Sequence, residues 1–113
     1  MLRSIKTNQL SERRLCFKVD GTGTAALDIW SDLATLTDNG TGNYTITPIK
    51  QFARIPVVQT TPITDVTTCR VISASVSAVV IEVQDADLAT AKDGDFYCQI
   101  TGWDVEDEFY DNL

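Results

Sequence analysis

Apolar and polar residues alternate in short runs along most of the chain. Leu15, Phe17 and Val19 alternate with Cys16 and Lys18, which predicts a strand with one apolar face. Residues 39–47 begin at a glycine-rich turn, Asn39-Gly40-Thr41-Gly42-Asn43, after which Tyr44 and Ile46 alternate with Thr45 and Thr47. Gly40 and Gly42 take positive φ without steric cost, as such a turn needs. Residues 55–61 predict another strand, introduced by Pro56. Pro48 and Pro56 have no amide donor and belong at strand ends or on an edge. In residues 69–74, Cys69, Val71 and Ser73 are expected on one side and Arg70, Ile72 and Ala74 on the other. Residues 76–83 are the most apolar run and are rich in β-branched residues, which predicts a central strand. Residues 75–77 would close a hairpin between these two. Residues 96–101 place Phe96, Cys98 and Ile100 on one face and Tyr97, Gln99 and Thr101 on the other, with Gly102-Trp103 ending the strand.

The intervening segments carry turn chemistry. Residues 20–23, Asp-Gly-Thr-Gly, predict a turn. Residues 25–30 fit a strand or a short helix and are read as a strand. Residues 31–36 are read as a turn, with room for one helical turn capped by Ser31. Residues 62–65 read as a loop, 86–91 as a small-residue segment holding one short helical turn, and 93–95 as a turn. Six to eight short strands at this spacing predict an all-β chain folded as an antiparallel β-sandwich, jelly-roll or Ig-like. At 113 residues it is one domain. Residues 1–12 lack a period and are read as an N-terminal arm. Residues 13–103 form the sandwich and residues 104–113 an acidic C-terminal tail, so both termini are expected to be extended arms.

Charge and composition narrow the chemistry. A formal charge of −7 argues against a nucleic-acid partner. No run of about 20 apolar residues exists to span a membrane as a helix. The first ten residues lack the apolar stretch of a secretory signal, so the chain is expected to start in the cytoplasm, or in a host cell's cytoplasm. Cys16, Cys69 and Cys98 are an odd set without a C-x-x-C pair and are read as free thiols. The chain has no histidine, which removes Ser–His–Asp and Cys–His catalysis. No metal, no cofactor and no enzymatic activity are expected. The acid pairs Asp85/Asp87, Asp93/Asp95 and Glu106/Glu108 suit solvated turns better than a carboxylate hydrolase. A loop calcium site at Asp93-Gly94-Asp95 or Asp85-x-Asp87 is a lesser alternative. Two Asn-x-Thr triplets, at Asn39 and Asn43, are explained by turn chemistry.

The two ends differ in charge. Arg3, Lys6, Arg13 and Arg14 make the amino end basic, while five acids crowd residues 104–111 among Trp103, Val105, Phe109 and Tyr110. Aromatic residues are enriched in interfaces, and opposite charges steer encounters. The ends therefore read as assembly arms, with Arg3, Lys6, Arg13, Arg14, Trp103, Phe109 and Tyr110 as candidate partner contacts.

Two stretches carry a resemblance, a strand at Gly42-Asn43-Tyr44-Thr45-Ile46-Thr47 and a strand at Phe52-Ala53-Arg54-Ile55-Pro56-Val57-Val58. With the closing Phe96-Tyr97-Cys98-Gln99-Ile100-Thr101-Gly102-Trp103, the chain resembles small β-sandwich virion modules of tailed phages, found in capsid decoration (cement) proteins and tail-fibre tips. The resemblance covers about residues 39–103. It implies a virion structural protein that binds the major capsid protein or another virion protein and self-associates as a homotrimer. The short chain, with no shaft ahead of the module, and its charged, aromatic-bearing ends favour a decoration protein. The other reading is a tail-fibre or head-fibre module binding a receptor or glycan through Trp30, Tyr44 and Trp103.

Overall fold

The computed structural model describes residues 10–22, 24–28 and 31–105. They form eight strands: β1 (Leu10–Asp20), β2 (Ala26–Asp28), β3 (Ala34–Gly40), β4 (Asn43–Pro48), β5 (Val57–Pro62), β6 (Thr67–Ala74), β7 (Val79–Asp85) and β8 (Phe96–Val105). Two antiparallel four-stranded sheets result, ordered β2-β1-β8-β5 and β3-β4-β7-β6. The architecture is an all-β sandwich. The even division departs from the four-and-three split of a constant-type immunoglobulin domain. The pairs β1/β2, β3/β4 and β6/β7 are adjacent both in sequence and in their sheets.

The core follows from the period-two pattern. The inner strands β1, β4, β7 and β8 turn alternate side chains inward. Leu15, Phe17 and Val19 face Tyr44, Ile46, Val79, Ile81 and Val83 in one buried cluster, joined by Phe96, Cys98 and Ile100. Tyr44 and Phe96 pack as a tilted aromatic pair, 5.7 Å between ring centroids.

Several elements differ from expectation. Residues 31–36 hold the expected turn only in their first half. A 3₁₀ turn at Ser31–Leu33 leads directly into β3. Ala34 and Leu36 face inward there while Thr35 and Thr37 pair with Thr47 and Thr45, so β3 has too few apolar residues to announce itself. In β6 the alternation breaks at Ile72. The register passes from Val71↔Ile81 to Ser73↔Val80, so Ile72 is the extra residue of a bulge. Ala74, not Ser73, therefore returns to the side of Cys69 and Val71. Both terminal strands also reach into the expected arms. β1 starts at Leu10, within the expected arm, and β8 runs to Val105, within the expected tail. Residues 1–9 and 106–113 lie outside the described residues.

The acids of the loops are structural acceptors. The Asp93 carboxylate Oδ1 accepts from the Gly42 amide at 2.8 Å and sits 3.0 Å from the Tyr44 hydroxyl, which also lies 3.0 Å from the Gly21 carbonyl. Asp95 Oδ1 accepts from the Gly21 amide at 3.0 Å, and the Asp95 amide donates to Thr64 Oγ1 at 2.8 Å. Asp85 Oδ1 caps the turn after β7, accepting from the Asp87 and Leu88 amides at 2.8 and 3.1 Å. These bonds hold the Asp85 carboxyl below its ordinary range. Residues 93–95 thus form a hydrogen-bonded latch around a buried Gly94, with Asp93 still exposed to solvent. Among the described residues no group of three or more His, Cys, Asp or Glu is placed to hold a metal ion.

Burial also sets a pH response. It pushes the Cys98 thiol up to about 12 and the Cys69 thiol up to about 11, from 9.0. Burial, reinforced by Asp93, pushes the Tyr44 phenol well above its ordinary 10.0. These groups hold their protons more tightly folded than unfolded. Their contribution is therefore complete at neutral pH and is lost as pH rises through the unfolded values of thiol and phenol. The melting temperature is expected to fall as pH is raised from about 9 to about 11, and Tyr44→Phe should reduce the part of the slope above about 10. A melting temperature that stays level over this range contradicts the assignment.

Candidate functional site

β1 and β8 bring the two ends of the described chain together. Their ladder begins at Val19↔Phe96 and closes at Leu10↔Val105. The first and last described residues, Leu10 and Val105, therefore lie opposite one another at one end of the sandwich.

That end is built around Phe52. Residues 49–56 connect β4 of one sheet to β5 of the other. Phe52 is not part of a strand, as the resemblance implied, but a buried plug in this connection. Its amide donates to the Val76 carbonyl at 2.9 Å, and the Ala53 amide donates to the Trp103 carbonyl at 2.8 Å. Its ring lies on Gly102, where a Cβ would strike the ring carbons directly. The Arg13 guanidinium covers the ring at 4.0 Å from its centroid. Arg13 also grips Asp104 through two bonds, Nε to Oδ2 at 2.8 Å and Nη2 to Oδ1 at 3.0 Å. Its Nη2 donates to the Lys50 carbonyl as well, at 2.9 Å.

The candidate contacts divide accordingly. Arg13 is spent inside the chain as a strut between β1, β8 and the 49–56 connection, rather than standing free for a partner. Arg14 is exposed and pairs with Glu12, Nη2 to Oε2 at 3.0 Å, with both side chains about half exposed. Trp103 is half-buried on the outer side of β8, opposite Glu12. Arg3, Lys6, Trp30, Phe109 and Tyr110 lie outside the described residues. Tyr44 is wholly buried, so it is not available to a glycan.

Residues missed by sequence reasoning complete the surface. Ile49 and Ile55, at either side of the Phe52 plug, are 66% and 64% exposed, and Val57 and Val105 are 56% and 44% exposed. Leu33 joins them, its carbonyl taking the Ile49 amide at 3.0 Å. A groove of about 260 Å³ runs among Lys50, Gln51, Phe52, Ala53, Asp104 and Val105. A second depression of about 410 Å³ lies over the β1-β8-β5 face, lined by Cys16, Gln59, Thr61, Tyr97 and Gln99 among others. Single exposed apolar residues are ordinary, so neither isoleucine stands out in the sequence.

Compared with family models, curated proteins and solved structures, the chain finds no match in any of the three.

Proposed function

We propose that this is a non-enzymatic virion protein of the capsid decoration (cement) type, binding the assembled shell as a homo-oligomer. The observation that carries the reading is the Leu10↔Val105 pair. It brings the first and last described residues together, on an end that exposes Ile49, Ile55, Val57 and Val105. An apolar centre with charged surroundings is the composition of a protein interface. The major capsid protein or another virion protein is the partner in this reading, and the virion is the location.

The mechanism is mass action. A protein that binds only the assembled shell makes disassembly less favourable by its binding free energy, and many symmetric copies add avidity. Shells stripped of the protein should regain heat or osmotic resistance when the wild-type chain is added back. Ile49→Asp/Ile55→Asp should bind at least about tenfold more weakly, as expected for charges placed at the centre of an apolar contact. Equal resistance of stripped and decorated shells removes the proposal.

The depression on the β1-β8-β5 face favours one other reading, a glycan-binding fibre module. Tyr97 is half exposed there beside the amides of Gln59 and Gln99. In that case Tyr97→Ala abolishes glycan binding and leaves shell binding untouched.

A further inference from the structure

β1 is eleven residues long, while its outer neighbour β2 is three. β2 pairs only with Lys18, Val19 and Asp20. Along residues 10–17, β1 is bonded to β8 on one side, and among the described residues no strand pairs with its other side. Every second residue of an antiparallel strand turns its N–H and C=O away from a given neighbour, so this edge offers a ladder for another strand.

We infer that the edge is taken by β1 of a second copy, running antiparallel across a two-fold axis, so that the β1-β8-β5 sheets of two copies become continuous. The self-complementary charge pattern supports this occupant. Glu12 and Arg14 lie on the outer face, and Arg13 and Leu15 on the inner face. Residues directly opposite one another in an antiparallel pair share a face, so the axis must pass beside a residue rather than between two. Beside Glu12, it sets two carboxylates face to face, and beside Arg14, two guanidinium groups. Beside Arg13, it sets Glu12 opposite the partner's Arg14 and Arg14 opposite the partner's Glu12. The two Arg13 side chains that then meet on the inner face are each already neutralised by Asp104 of their own chain. Leu15 comes opposite the partner's Ser11, and Leu10 opposite the partner's Cys16. The remaining part of the edge, next to β2, stays outside the pairing. The arrangement is isologous, as two-fold contacts are, and differs from the homotrimer implied by the resemblance.

The inference shares with the virion reading only its self-association. It is tested on the full chain alone in buffer, where particle binding plays no part. Sedimentation equilibrium of the wild type should show a reversible dimer. Arg14→Glu and Glu12→Arg, which each place like charges opposite twice, should weaken it at least roughly tenfold. The double swap Glu12→Arg/Arg14→Glu should restore it, because only pairing centred on Arg13 exchanges these two positions. Unchanged melting temperatures show that each variant is folded, and Ser11→Lys, which meets Leu15 on the inner face, offers a second disruption. A wild type that is monomeric at all concentrations, a trimer indifferent to Arg14→Glu, or a double swap as weak as the single variants overturns the inference.

Discussion

Tyr44→Ala is expected to destabilise the fold by about 3–5 kcal/mol, and Tyr44→Phe by about 1–2 kcal/mol. The difference separates the two roles of this side chain. The ring is fully buried against Phe96 between the sheets, and truncation opens a cavity that the paired strands cannot collapse to fill. The hydroxyl meets the Gly21 carbonyl and Asp93. Removing it leaves Asp93 still bonded to the Gly42 amide, so the cost is one shared hydrogen bond rather than an orphaned carboxylate. Urea unfolding of both variants measures this. If phenylalanine proves as damaging as alanine, the latch rather than the ring dominates.

Gly102→Ala is expected to cost about 1–3 kcal/mol through overpacking, although it adds a single methyl group to a strand. Glycine is ordinarily a weak point in a strand, so on propensity alone the substitution would stabilise. Here the methyl would occupy the position of the Phe52 ring. That ring is held from above by Arg13 and from its own backbone by Val76, so it has little freedom to retreat. Phe52→Leu is expected to be destabilising on its own and to relieve part of the Gly102→Ala effect, giving a less-than-additive double variant. Simple additivity in denaturant unfolding shows that the two positions do not communicate.

Period-two alternation carried much of this architecture. The inward faces at Leu15, Phe17 and Val19, at Tyr44 and Ile46, and at Phe96, Cys98 and Ile100 were legible because each is a buried stripe on an inner strand. β3 was not, because it is an edge strand with two inward apolar residues and a polar end at Asp38 and Asn39 that reads as turn. Sheet order and the Ile72 bulge depend on partners distant in sequence, which local pattern does not encode. Of the candidate site, Arg13, Arg14 and Trp103 were visible as charge and aromatic content near the ends. Their different fates were not. Arg13 is fixed by Asp104, 91 positions away, and that acid read as the first residue of the acidic C-terminal arm. Phe52 was read as part of a strand only through the resemblance, whereas β5 begins at Val57. Only the meeting of two sheets makes it a plug.

The ladder between β1 and β8 has a consequence for how the chain comes to be folded. Among the described strands, the first to be made is the hydrogen-bond partner of the last. Residues 34–85 contain every strand of the β3-β4-β7-β6 sheet and can assemble as they are made. Leu15, Phe17 and Val19 must wait until β8 has been made. Closing so long a span is slow compared with forming a hairpin. The interval before it closes is when a nascent chain is most prone to capture by others.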